Sequence, residues 1–243
     1  MKCQTNDDIL ANHHQGVVII SKRALPEIIA GPILRHVAES EVTLWLVTTQ
    51  QYPCELLIKQ DDKALFNGVL SPEEVNYVPI GEQAFICLIN VTLTTPLPQA
   101  TQLTYDICLH TEQGVKGLTD IIDDLTYQSS LPSFFYQPNI SKVLHGSCRK
   151  PHFAGGDSLC QIDRAFAVDP NSAAARPSMV IMSGDQAYVD DVAGPMLVAI
   201  HQVIKLLGLH DEKWQGAVVN NSQALFGSQS CYYHRELMLP RDD

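Results

Sequence analysis

Along the first half of the chain, apolar residues come in short runs separated by turn formers. Residues 17–20, 33–37, 42–48, 54–59, 85–93 and 103–108 are each rich in Val, Ile, Leu or aromatic side chains. Pro26, Gly31-Pro32, Asp61-Asp62, Ser71-Pro72, Pro96 and Pro98 punctuate them. Runs of this length without a helical period predict strands, and several at short spacing predict an antiparallel β-sandwich. In residues 42–48 the polar positions do not alternate cleanly, which predicts burial on both faces or a curved strand. Alternation over residues 103–108 is partial.

The rhythm changes after Gly117. The segment GLTDIIDDLTYQSSLPS is acidic and then rich in Ser and Pro, as suits a linker or crossing loop. Beyond it, residues 142–144 read as a short strand and residues 157–168 as a helix, with Leu159, Ile162, Ala165 and Phe166 on one face. Residues 178–182 form a continuous apolar strand, and residues 192–209 a long buried helix stopped by Gly208. Strand, helix, strand, helix predicts a parallel sheet covered by helices. The expected organisation is therefore a sandwich over residues 1–125 and an α/β domain over residues 126–243. In parallel sheets ligands gather at the carboxyl ends of strands. That rule points to the residues after Leu144 and those after Met182.

Composition narrows the function classes. Hydrophobic residues make up 45% and charged residues 18% of the 243, the balance of a folded globular protein. Sixteen Lys and Arg against 27 Asp and Glu leave a formal charge of -11. An acidic surface repels nucleic-acid backbones and anionic membranes, so neither is expected as a partner. A single phosphorylated substrate stays open, because bound cations reverse the local field. The first residues carry no apolar run, and the apolar segment at residues 192–209 contains His201, Gln202 and Lys205. Neither reads as a secretory signal or a membrane span, and the expected compartment is the cytoplasm. Seven cysteines without paired spacing are expected mostly as reduced core thiols.

Chemistry concentrates at the two strand ends. Asp185, Tyr188, Asp190 and Asp191 put three carboxylates and a phenol into seven residues. They would repel one another unless a cation sat among them, and a hard, oxygen-bound cation answers that need. Gly184 lets the chain turn to aim Asp185, whereas Asp190 or Asp191 could instead cap the following helix. After the first strand, Cys148 is flanked by Arg149, Lys150, His145 and His152. A thiol so placed serves as a nucleophile, a metal ligand or simply a buried thiol. A tyrosine-phosphatase loop would need an Arg six positions after the Cys, where Ala154 stands.

HGSCRKPH, then GGDSL, then RPSMVIMSGDQAYVDD closely resembles the start of the metallophosphatase domain of PhoD-like alkaline phosphatases. That family is similar to purple acid phosphatases in its Gly-Asp-x-x-Tyr arrangement, here Gly184 to Tyr188. The resemblance implies a metal-dependent phosphoric ester hydrolase with iron (Fe3+) and calcium, or another divalent ion at the second position. It implies that Asp185 bridges the two metals, that Tyr188 ligates iron as tyrosinate and that Cys148 is a further iron ligand. Asp190 joins them as a candidate ligand, and Arg149 as a candidate partner for phosphate oxygens. An N-terminal β-sandwich also accompanies the family, and residues 31–49 resemble the opening of one.

The family's second ligand set, an Asn/Asp–His motif and later histidines, has no match among His201, His210 and His234. The chain accordingly reads as the N-terminal part of such a phosphatase, inactive by itself. Two other readings remain open from the residues alone. One is a binding or scaffolding protein with a vestigial metal motif. The other is a metal-independent hydrolase using Cys148, with His145 or His152 as base.

Overall fold

The structure, a computed structural model, describes residues 25–150, 157–188 and 192–227. The strand expected at residues 17–20 lies outside them. The described chain opens with eight strands: β1 (Ile28–Ala38), β2 (Glu41–Thr48), β3 (Cys54–Gln60), β4 (Lys63–Val69), β5 (Val75–Gly81), β6 (Ala84–Thr92), β7 (Gln102–Thr111) and β8 (Gly114–Lys116). A one-turn helix α1 (Leu118–Ile121) and a short strand β9 (Ser133–Phe135) follow. Two antiparallel sheets result, one ordered β1-β2-β6-β5 and the other β4-β3-β7-β8, with β9 also pairing with β7. This is the Greek-key order of immunoglobulin-type sandwiches.

Alternation explains the packing. Val42, Leu44 and Leu46 of β2 and Cys87, Ile89 and Val91 of β6 point inward from one sheet. Cys54, Leu56 and Ile58 of β3 and Leu103, Tyr105, Ile107 and Leu109 of β7 answer them from the other. All belong to one buried cluster. Successive side chains of a strand face opposite ways, so one face of each strand supplies this core while the other meets solvent. The irregular pattern in β2 has a simple cause. It alternates up to Leu46, and then Val47 and Thr48 are both buried where the strand ends. Thr48 stays satisfied by donating its hydroxyl to the Gln50 carbonyl at 2.6 Å.

The sandwich reaches past the boundary expected at residue 125. Leu118 of α1 is fully buried, and Phe134 of β9 and Tyr136 join the core cluster. The linker expected from composition thus contributes to the sheet and the core. Arg176 helps to tie later residues to it. Its guanidinium sits 5.7 Å from the Tyr127 ring, 5.9 Å from Phe135 and 5.3 Å from Phe166. It also donates to the Pro170 carbonyl at 3.0 Å.

Next come β10 (Val143–Gly146), α2 (Leu159–Val168), β11 (Met179–Met182), α3 (Gly194–Leu207) and α4 (Ser222–Gly227). The two strands pair in parallel with Val143 opposite Met179 and Gly146 opposite Met182. The expected strand–helix–strand unit is present, but the strands are not covered as expected: Val143 and Met179 to Met182 are 40–51% exposed. Of the four residues expected on one face of α2, Leu159, Ile162 and Phe166 are half-buried and Ala165 is exposed.

The long helix corrects an expectation. It was to be buried, yet Leu207 is the one buried residue of α3, and Met196, Val198, Ile200, Val203, Ile204 and Leu206 are 39–52% exposed. Its attachment runs through its last turn. Gly208 adopts φ 57°, and the N–H groups of Gly208 and Leu209 return to Lys205 and Ile204, a Schellman stop. The Glu82-Gln83 turn of the sandwich takes up carbonyls left over there. Glu82 N–H donates to Gly208 O at 3.0 Å, Gln83 N–H to Leu207 O at 2.9 Å and Gln83 Nε2 to Leu206 O at 3.0 Å. Gly81 makes this approach possible, since a β-carbon there would lie 2.7 Å from Leu207 O and 2.9 Å from Gly208 O. Both obstacles are backbone and cannot swing aside. Gly81→Ala is expected to lower stability by about 1–3 kcal/mol and to speed hydrogen exchange at Glu82 and Gln83. Unchanged exchange at those amides would show that the turn does not hold the helix.

Candidate metal centre

Parallel register brings the two chemical segments together. Because Gly146 pairs with Met182, the chain leaves both strands at the same level and on the same edge. The segments stay joined beyond the strands: Ser183 N–H donates to Gly146 O at 3.1 Å, Cys148 N–H to Gly184 O at 3.1 Å and Arg149 N–H to Asp185 O at 2.7 Å. Cys148 and Asp185 both sit at positive φ, 58° and 51°. That conformation is uncommon for residues other than glycine, and holding two facing residues in it turns both side chains toward one point. Gly184, at φ 144°, allows the turn before Asp185.

Asp185 Oδ2 is the meeting point. The Cys148 thiol donates to it at 3.5 Å and the Tyr188 hydroxyl at 3.2 Å. Asp185 and Cys148 are exposed and Tyr188 half-exposed, so the three atoms are accessible. The Tyr188 phenol is pushed well above its ordinary pKa, first by its hydrogen bond with the Cys148 thiol, then by desolvation and by the Asp185 carboxylate. A cation held by these donors takes the thiol and the phenol in their deprotonated forms. The donor set fits such an ion. Two donors bound at right angles to one metal, at bond lengths of about 2.0–2.3 Å, stand about 3 Å apart, close to the spacings seen. Thiolate, phenolate and carboxylate together suit a strongly Lewis-acidic ion better than a soft one.

The chain matches no protein-family model, and no curated protein is significantly similar to it.

Arg149 is engaged. Its Nε donates to Asp157 Oδ1 at 3.0 Å and one terminal nitrogen to Asp157 Oδ2 at 2.6 Å, a two-point ion pair. The pair holds the Asp157 carboxyl below and the Arg149 guanidinium above their ordinary pKa values. Asp157 Oδ1 also accepts the Leu159 N–H at 3.1 Å, so this carboxylate caps α2 as well. An Arg149 contact to phosphate would require the guanidinium to share or exchange that partner.

His145 Nε2 lies 2.7 Å from the Ser183 hydroxyl rather than bonding the Cys148 thiol. Ser147 reaches both the Cys148 thiol and the Gly184 carbonyl at 3.4 Å. Lys150 places its ammonium 5.6 Å from the Tyr188 ring centre. None of these supporting contacts was legible in the sequence, since each depends on which residues the parallel register sets opposite one another. Asp190, Asp191, His152 and His234 lie outside the described residues. Among the described residues, no group of three or more His, Cys, Asp and Glu side chains gathers to hold a metal. The donor set here reaches three through the Tyr188 phenol.

Proposed function

We propose that this chain carries part of the active site of a PhoD-like metallophosphatase, a metal-dependent hydrolase of phosphoric esters. The observation that supports the reading is the convergence of Cys148, Asp185 and Tyr188 at the carboxyl ends of a parallel strand pair. Asp185 would bridge iron and a second ion, calcium or another divalent metal. Cys148 and Tyr188 would complete one wall on the iron side, with Asp190 as a further ligand. When bound, the metals would supply a hydroxide near neutral pH and neutralise charge on the phosphoryl oxygens. The chain's own residues would do the rest. Asp185 would offer its two oxygens to the metals, and the strand-end hydrogen bonds keep Cys148 and Asp185 facing each other. Arg149, carried on the same turn and oriented by Asp157, would pair with an ester phosphate by sharing or exchanging that carboxylate.

Among the described residues three ligands converge, enough for one metal ion, so iron binding with little or no hydrolysis is expected. The test is spectroscopic. Titrating the chain with ferric iron should raise a visible tyrosinate-to-iron charge-transfer band, and Tyr188→Phe should abolish it. A protein that stays colourless and metal-free under those conditions would sink the proposal.

A further inference from the structure

The β10–β11 pair carries a gap in its apolar face beside the candidate metal centre. Leu144 and Gly146 share one face of β10, and their register partners Val180 and Met182 share the same face of β11. With Leu159 and Ile162 of α2 they line a cavity of about 230 Å³. Glycine at position 146 is what leaves it open: the alternation places a side chain there, and a β-carbon would meet nothing within 4 Å. The strand ends set the cavity's place. Gly146 and Met182 are the last residues of their strands. Cys148 therefore lies two residues beyond one wall and Asp185 three beyond the other, at most about 7 and 11 Å of chain. Ser158 also lines the cavity, and its neighbour Asp157 holds the Arg149 guanidinium. The space thus adjoins both the three-ligand cluster and the arginine.

We propose that this cavity holds the aryl group of a phosphoric ester whose phosphate occupies the adjoining centre, an assignment that rests on the metallophosphatase reading. Size and chemistry agree. An apolar cavity of about 150 Å³ takes up benzene, so one of about 230 Å³ accommodates a phenyl ring. Val180 and Met182 are 43% and 51% exposed, and a ring seated against them removes that apolar surface from water. No Asp, Glu, Lys or Arg is among the lining residues. A phosphate placed there would lose its hydration without gaining a partner, so the ester enters in one orientation, ring inward and phosphate toward Arg149. The site then selects aryl esters over those of small or strongly polar alcohols.

Phenylphosphonate and methylphosphonate differ only in the group proposed to enter the cavity, and their P–C bonds resist hydrolysis. Calorimetric titration of both into the full chain loaded with ferric iron should show phenylphosphonate binding about 10-fold or more tighter. Gly146→Val, which fills the gap, should bring the two affinities within about twofold while keeping the tyrosinate band. Ile162→Ala, which enlarges the cavity, should keep the phenyl preference and bind 1-naphthylphosphonate more tightly than the wild type does. Equal affinities in a wild-type chain that shows the band would overturn the proposal and leave the metal reading standing. A phenyl preference that survives in Gly146→Val would place the ring elsewhere and overturn it too. A chain that shows no band in ferric iron would overturn the metallophosphatase reading, and this assignment with it. The wild-type comparison decides the matter even where a variant does not fold.

Discussion

Replacing Asp185 with Asn is expected to lower iron affinity by at least about 100-fold, since the proposed site makes Asp185 a direct ligand and losing outer-shell partners alone costs about 10–100-fold. The change is nearly isosteric and keeps one oxygen to accept from Cys148 or Tyr188. What it removes is the negative charge and the second equivalent oxygen, the two properties that let a carboxylate hold one cation or bridge two. Asp185 is exposed and stands apart from the sandwich core, so the thermal midpoint of the sandwich should not move. Competition titration with a coloured chelator measures the affinity, and scanning calorimetry checks the fold. Wild-type affinity in D185N would remove Asp185 from the centre of the site.

Leu56→Ala is expected to destabilise the protein by about 2–5 kcal/mol. Leu56 is fully buried in β3, which hydrogen-bonds to β4 on one side and β7 on the other. Truncation removes three carbons from the layer between the sheets, and a strand held on both sides has little freedom to close the gap. The same substitution at Val180, 43% exposed in β11, should cost under about 1 kcal/mol. Urea unfolding followed by tryptophan fluorescence reads both, Trp45 lying in β2 of the facing sheet. Equal losses at the two positions would mean that the sandwich is not the stabilising core.

Strands with a strong apolar face were legible in the sequence: β2, β3, β6 and β7 each carry three or four inward residues at a spacing of two. Those that escaped notice were β4, β5, β8 and β9. They are edge strands or three-residue segments, and β4 and β5 carry Gly68, Asn76 and Pro79, which weaken an apolar pattern. An edge strand forms because a neighbour offers unpaired backbone groups, a cause that its own side chains do not record. In the second half, the βαβ unit and the two strand ends were readable from a continuous apolar run and from a cluster of charge that demands a counterion. The exposure of α3 was not. A helix apolar nearly all round signals burial, but its own sequence does not say which surface would cover it.

The residue types at the candidate site, and the expectation that they follow two parallel strands, came from the sequence alone, because a carboxylate-rich loop after an apolar strand has few chemical uses. Tertiary structure decided which atoms meet. The pairing of Gly146 with Met182 brings Cys148 and Tyr188 to one oxygen of Asp185, and it leaves Arg149 to Asp157 and His145 to Ser183. A register shift of one residue would turn each side chain to the opposite face while keeping every local preference intact. Strand register is a property of two segments at once, and so it was settled by pairing rather than by either segment's own composition.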